Sequence, residues 1–207
     1  MPRSFSENEK LSIRSTLIEK GSVLFGQYGL KKTSIDEIVK AAGIAKGSFY
    51  KFFKSKEDLF FICMEFQELA MQEKYLIPIL TKSENSSEMF NKLFKLMFEL
   101  PAEYPLIINM IAKEEYDTLL RGLPEETIES HRTKDMREMA GFMDLWQNMG
   151  IVVNEKPEVL NGLFQALVML NLHKNEVGKD IFPESMGLLS KILAAGMESL
   201  YVKGETV

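Results

Sequence analysis

Apolar residues recur at helical spacing along almost the whole 207-residue chain, and no stretch alternates convincingly with period 2. That pattern disfavours a core built on sheets and makes the expected fold class all-α. A first helix is expected from about Glu7 to Tyr28, where Leu17, Gly21, Leu24, Phe25 and Tyr28 fall on one continuous face. Gly29 follows as its stop. A second helix starts at Ser34, whose hydroxyl caps a backbone N–H while Glu37 reaches back from three residues on. Gly43 breaks that helix, because a tight turn between helices needs a residue free to take positive φ. A short third helix is expected over about 45–53, and Ser55 caps a long fourth one with Asp58 at its third position. Beyond the polar break LTKSENSSE, helices are expected near 87–100, 102–121, 125–149, 157–175 and 183–202, with prolines and Gly122 at the joints.

Charge is distributed unevenly along these helices. The net charge is −5, yet residues 1–56 carry 11 Lys/Arg against 5 Asp/Glu, and the remainder carries 14 against 25. A basic head on an acidic body approaches a polyanion in one orientation only. No apolar run nears the roughly 20 residues of a membrane span. The N-terminus lacks the apolar segment of a secretory signal, and the single cysteine, Cys63, excludes an intrachain disulfide. The expected setting is the reducing cytoplasm.

Rotating the third helix at 100° per residue sorts its side chains into two groups. Ala45, Phe49 and Phe53 cluster on one side and suit burial against Ile38 and Val39. Gly47, Ser48, Tyr50, Lys51 and Lys54 face outward. Glycine inside a helix costs about 1 kcal/mol relative to alanine, so Gly47 implies a backbone that something must approach closely. Two helices joined by a glycine turn, the second short and basic, fit a helix-turn-helix whose second helix enters the major groove of double-stranded DNA. In that reading Lys46 reaches base edges or phosphate, and Tyr50 and Lys51 serve phosphate. Ser34 and Lys56 stand at helix starts, where free N–H groups favour a phosphate oxygen. The DNA-binding set is therefore Ser34, Lys46, Gly47, Ser48, Tyr50, Lys51 and Lys56.

The run TSIDEIVKAAGIAKGSFYKFFKSKEDLF, Thr33 to Phe60, resembles the signature of TetR-family transcriptional regulators. The shared elements are a Thr/Ser helix start, an Ala-Gly turn, a Gly-Ser-aromatic-Tyr recognition helix, an aromatic pair ending in Phe, and Ser-Lys-Glu-x-Leu. With the first helix, the resemblance covers about the first quarter of the chain. It implies an all-helical homodimer with N-terminal DNA-binding heads and a C-terminal domain that binds a small inducer. Ala45 departs from the pattern, since the family often has Ser or Thr capping the recognition helix there. The resulting division is a three-helix DNA-binding domain over 1–54 and a larger ligand-binding and dimerisation domain over 55–207.

The body is rich in methionine and aromatic residues, which suit a pocket for a largely apolar effector and an ordinary core alike. Met110, Phe142 and Trp146 are the pocket candidates. The helix from Pro157 is apolar around most of its circumference and must be covered on two sides. The last helix carries Leu189, Leu193, Gly196, Met197 and Leu200 on one stripe. Phe164 and Leu167 with Leu189, Leu193, Gly196 and Met197 are the expected dimer interface, in a four-helix bundle about a two-fold axis.

No cofactor or metal is expected: Cys63, His131 and His173 have no ligand spacing. KEEYD, residues 113–117, reads as a solvated acidic run without a partner base. The resulting expectation is a ligand-responsive regulator, a repressor rather than an enzyme, binding a near-palindromic operator. The alternatives are a sequence-neutral architectural DNA-binding protein and an all-α enzyme with a solvated basic surface.

Overall fold

The computed structural model describes residues 6–106 and 115–201, and among them every regular element is helical. The chain divides into two compact units. The first comprises residues 1–69 and 104–125, the second 70–103 and 126–207.

In the first unit, α1 runs Glu7–Tyr28, α2 Ile35–Ala42, α3 Lys46–Phe49 and α4 begins at Lys56 and continues to Met71. Reciprocal capping starts α1, with Ser6 and Glu9 each bonding the other's backbone, and Ser34 and Glu37 do the same for α2. Ser55 accepts from the Asp58 amide at 3.1 Å, and the Asp58 carboxylate accepts from the Lys54 amide at 2.8 Å. Gly29 has φ 84° and Gly43 φ 69°, conformations in which a side chain is strained, so both turns are tied to glycine. The core is Leu17, Phe25, Ile38, Phe49, Phe53, Leu59 and Phe60, with the Phe25 and Phe60 rings edge to face at 5.0 Å. Cys63 belongs to this core; burial pushes its thiol up to about 11, so it is an inert apolar filler rather than a nucleophile.

The third helix is shorter than its sequence pattern suggests. Ala45, expected to share the buried side, is exposed and supplies no side-chain cap. Regular helix ends at Phe49, after which Lys51 and Phe52 donate three residues back to Ser48 and Phe49. Phe53 still donates to the Phe49 carbonyl at 3.1 Å, so the aromatic pair keeps its place in the core.

A returning segment completes this unit. α7, Tyr116–Gly122, lies against the start of α4, where a Cβ on Gly122 would come within 2.8 Å of the Glu57 Cβ. One residue before it, Glu115 is 1% exposed. Its carboxylate accepts from the backbone N–H of Leu30 at 2.7 Å and of Lys31 at 2.9 Å, just beyond the end of α1. The expectation of a solvated acidic run fails at this residue. A buried carboxylate is tolerated because charge-assisted bonds from two amides replace its water.

The second unit holds α5 (Ile77–Lys82), α6 (Ser86–Glu103), α8 (Glu125–Asn148), α9 (Pro157–Leu170), α10 (Lys174–Val177) and α11 (Phe182–Tyr201). A single π-helical turn, Gln72–Leu76, leads into α5. α6 continues through Pro101, which the sequence marks as a joint. Of the helix expected over 102–121, residues 107–114 lie outside the described residues and the last part is α7. α6 packs between α11 and α9. Phe90, Phe94, Trp146 and Phe164 form an aromatic cluster with ring centroids 5.8–6.4 Å apart. The helix expected over 157–175 changes to a 3-10 turn at Asn171, whose side-chain amide donates to the carbonyls of Val168 and Met97 at 3.1 Å.

Replacing Glu115 with alanine strands two amides near the core. Glu115→Ala is expected to lower the unfolding free energy by about 3 kcal/mol, read from urea denaturation of the purified protein.

Candidate nucleic-acid interface

The exposed side of α3 is built by burial of its other side. Phe49 and Phe53 are sealed in the core, which fixes the rotation of the short helix and leaves Lys46, Gly47, Tyr50 and Lys51 at the surface. Tyr50 is 55% exposed while its ring meets Phe49 edge to face at 5.4 Å, so the ring is braced from below and the hydroxyl end is open. Ser48 is half-buried. No atom lies within 4 Å of where a Cβ would stand on Gly47. Internal packing therefore gives no reason for glycine at this position.

Two further positions come together at the start of α2. The Lys56 ammonium donates to the Thr33 carbonyl at 2.9 Å, which holds it beside Ser34. Thr33 is buried and donates its hydroxyl to the Gly29 carbonyl at 2.7 Å. The turn between α1 and α2 is thus gripped by Glu115, Thr33 and Lys56, and its geometry sets the direction in which α2 and α3 point.

The surface is not uniformly cationic. Glu37 accepts from the Ser34 hydroxyl and backbone N–H, bonds that hold its carboxyl below the usual range. Lys46 donates to Asp36 at 2.9 Å, and that hydrogen bond raises the ammonium above its ordinary value. Both carboxylates stand in the first turn of α2, where the helix dipole favours negative charge. Asp36 escapes notice in the sequence because only the folded turn brings it to a lysine ten residues away.

Two of the pocket candidates lie among the described residues of the second unit. Phe142 lines a groove of about 400 Å³ with Gln72, Ile77, Leu80, Thr81, Glu138, Gly141 and Leu145. Gln72 donates to Glu138 at 2.7 Å across this groove, and Gln72 opens the π-helical turn. Trp146 is 1% exposed within the aromatic core, and Met110 lies outside the described residues.

Five of the six candidate interface residues are placed on the inner side of α9 and α11, and the sixth, Gly196, has open space where a Cβ would stand. Leu167 and Met197 are buried, Phe164, Leu189 and Leu193 pack against the same core, and Gly196 is half-buried. A second apolar stripe, one residue earlier on α11, is exposed. It comprises Leu188, Ile192 and Ala195, preceded by Ile181 just before the helix, with Val159 and Met169 exposed on α9.

Comparison with known proteins agrees with this geometry. Residues 17–62 match the family described as bacterial regulatory proteins, tetR family. The chain is 24% identical to the probable acrEF/envCD operon repressor of Escherichia coli strain K12, over 89% of its own length and 87% of the relative's. It is 38% identical to the HTH-type transcriptional regulator AcrR of Shigella flexneri over 63 residues, 30% of this chain and 29% of the relative. In fold it resembles a TetR-family regulator from Pectobacterium atrosepticum, with TM-score 0.67 and 21% identity over 97% of this chain and 100% of the other. Salmonella enterica GusR has the same fold with TM-score 0.64 and 18% identity, over 94% and 98%.

The fold and the head define a helix-turn-helix DNA-binding transcriptional regulator, a class without enzymatic activity. Residues 17–62 carry the head of the TetR family, and the chain as a whole shares the fold of a TetR-family regulator. No helix among the described residues is long and apolar enough to cross a membrane.

Gly47→Ala separates DNA approach from folding. The free protein is expected to be as stable as the parent or more so by about 1 kcal/mol, while its affinity for duplex DNA falls. A melting curve and a fluorescence-anisotropy titration check the two halves.

Proposed function

We propose that the protein is a cytoplasmic repressor that binds a near-palindromic operator as a homodimer and is released by a small, largely apolar effector. The observation that carries the DNA contact is α3, with its aromatic side locked in the core and a glycine presented to open space. Residues 1–54, together with Lys56 at the start of α4, act as the reading head. Gly47 admits the groove wall, Lys46 and Ser48 meet base edges, and Tyr50, Lys51 and Lys56 meet phosphates, while Ser34, whose N–H and hydroxyl both donate to Glu37, serves by capping α2. Residues 55–207 act as the effector and dimerisation domain.

The dimer is supported by the outer stripe of α9 and α11, where Leu188 is 61% and Ile192 59% exposed. Apolar side chains aligned along one side of α11, with Val159 and Met169 exposed on α9, mark a surface made to be covered. Phe164, Leu167, Leu189, Leu193 and Met197 form the backing on which that stripe is mounted, and Gly196, open where a Cβ would stand, lets the partner approach. Two chains joined this way present two heads to successive major grooves.

The effector site is the groove lined by Phe142, Leu80, Ile77 and Leu145, with Gln72 and Glu138 as its polar pair. Its apolar walls favour a ligand to match, and the pair orients the ligand's polar end. Release follows only if the ligand prefers the conformation whose heads are wrongly spaced.

The test is selection of the purified protein against a random duplex library near physiological salt. Enrichment of a two-fold symmetric motif is the expected outcome. Retention without a motif would replace this reading by a sequence-neutral binder, and no retention would overturn it. With that motif as probe, Ile192→Glu is expected to elute as a folded monomer and to lose affinity by on the order of ten-fold or more, because only one half-site is then held.

A further inference from the structure

The ammonium of Lys46, in the first turn of α3, is held 2.9 Å from a carboxylate oxygen of Asp36, in the first turn of α2. Both side chains are exposed, at 54% and 68%. Nothing in the packing of the head requires the pair, and an exposed ion pair contributes little to stability. Its position is what matters: it lies on the face that meets DNA and places a negative charge beside the leading cation of the reading helix.

We propose that Asp36 is a specificity-determining positioning residue, holding Lys46 for base readout and keeping it off phosphates. The inference rests on the placement of α3 in the major groove. A lysine ammonium has three donors and no fixed plane. Tethered by one N–H to Asp36, it keeps two for acceptors on a base edge, and its direction is set by two helix first turns rather than by a flexible stem. On a duplex of the wrong sequence no acceptor is in register. There the ammonium's gain comes from a phosphate, and to reach it the ammonium must leave Asp36 exposed to the polyanion. The pair therefore weakens sequence-neutral binding, which is almost wholly electrostatic, more than it weakens binding to the operator.

Glu37 is a different case. Its carboxylate is committed to the Ser34 backbone N–H and hydroxyl and caps α2, so it helps build the helix start and does not steer a cation of α3.

The experiment compares Asp36→Asn with the parent on two duplexes, the palindrome recovered by selection and a scrambled duplex of the same length. The substitution keeps the size of the side chain and removes its charge, and Ser34 and Glu37 still cap α2. On the scrambled duplex the variant is expected to bind about three- to five-fold more tightly, with the slope of log affinity against log salt steeper by about 1. On the palindrome, affinity is expected to be unchanged or lower, so the specificity ratio falls. The same substitution in a Lys46→Ala background is expected to change neither affinity, because the effect acts through Lys46. Equal changes on both duplexes, no change on either, or an effect that persists without Lys46 would each overturn the proposal. Failure of the parent to prefer the palindrome at all would instead count against the operator reading.

Discussion

Where α1 ends, two backbone amides point away from the helix ladder, and the buried carboxylate of Glu115 takes both of them. Much of the head's geometry depends on that contact. The turn it holds, Gly29 to Thr33, decides the angle at which α2 leaves α1, and α2 with the Gly43 turn decides where α3 is presented. Thr33 and Lys56 grip the same turn from inside the head, with the threonine bonding backward to Gly29 and the lysine reaching it from the start of α4. A helix of only four residues has little stability of its own. It keeps its orientation because Phe49 and Phe53 are locked in the core and because the elements before it are pinned at several points.

This arrangement explains how a protein with a net negative charge presents a DNA-binding surface. The excess of positive charge is confined to the first part of the chain, and even there carboxylates occupy the first turn of α2. One of them completes a capping box, the other meets Lys46. Cations are thus neither maximised nor randomly placed: α3 carries few, and Lys46 at its start is already engaged by an acid.

In the second unit the same apolar composition does two jobs on neighbouring sides of one helix. On α11 the residues Leu189, Leu193 and Met197 face the aromatic core, and Leu188 and Ile192, each one position earlier, face outward. Both stripes have helical spacing and both are largely aliphatic. Periodicity marks one stripe on this helix, from Leu189 to Leu200, but it carries no mark of which side the chain itself covers. That is why the sequence leads to the inner stripe as an interface while the exposed one passes unremarked. Trp146 and Phe142 divide in a similar way, one filling the core beside Phe90 and Phe164 and the other lining a groove.

Elements of local origin were legible in the order of the residues. The all-α class, the bounds of α1, the capping box at Ser34, the glycine turn at Gly43 and the two-sided character of α3 all depend on residues within a few positions of one another. Backbone hydrogen bonding and helical periodicity act over that range, so these features are written in the order of the residues. The tertiary structure alone decided what depends on distant segments meeting. Glu115 becomes a buried clamp because the chain returns to the turn after α1, 85 residues earlier in sequence. Asp36 becomes a partner of Lys46 because the turn folds one helix start onto another. The role of a charged residue is set by which dipoles and charges lie within a few ångströms, and it is the packed chain that chooses those neighbours.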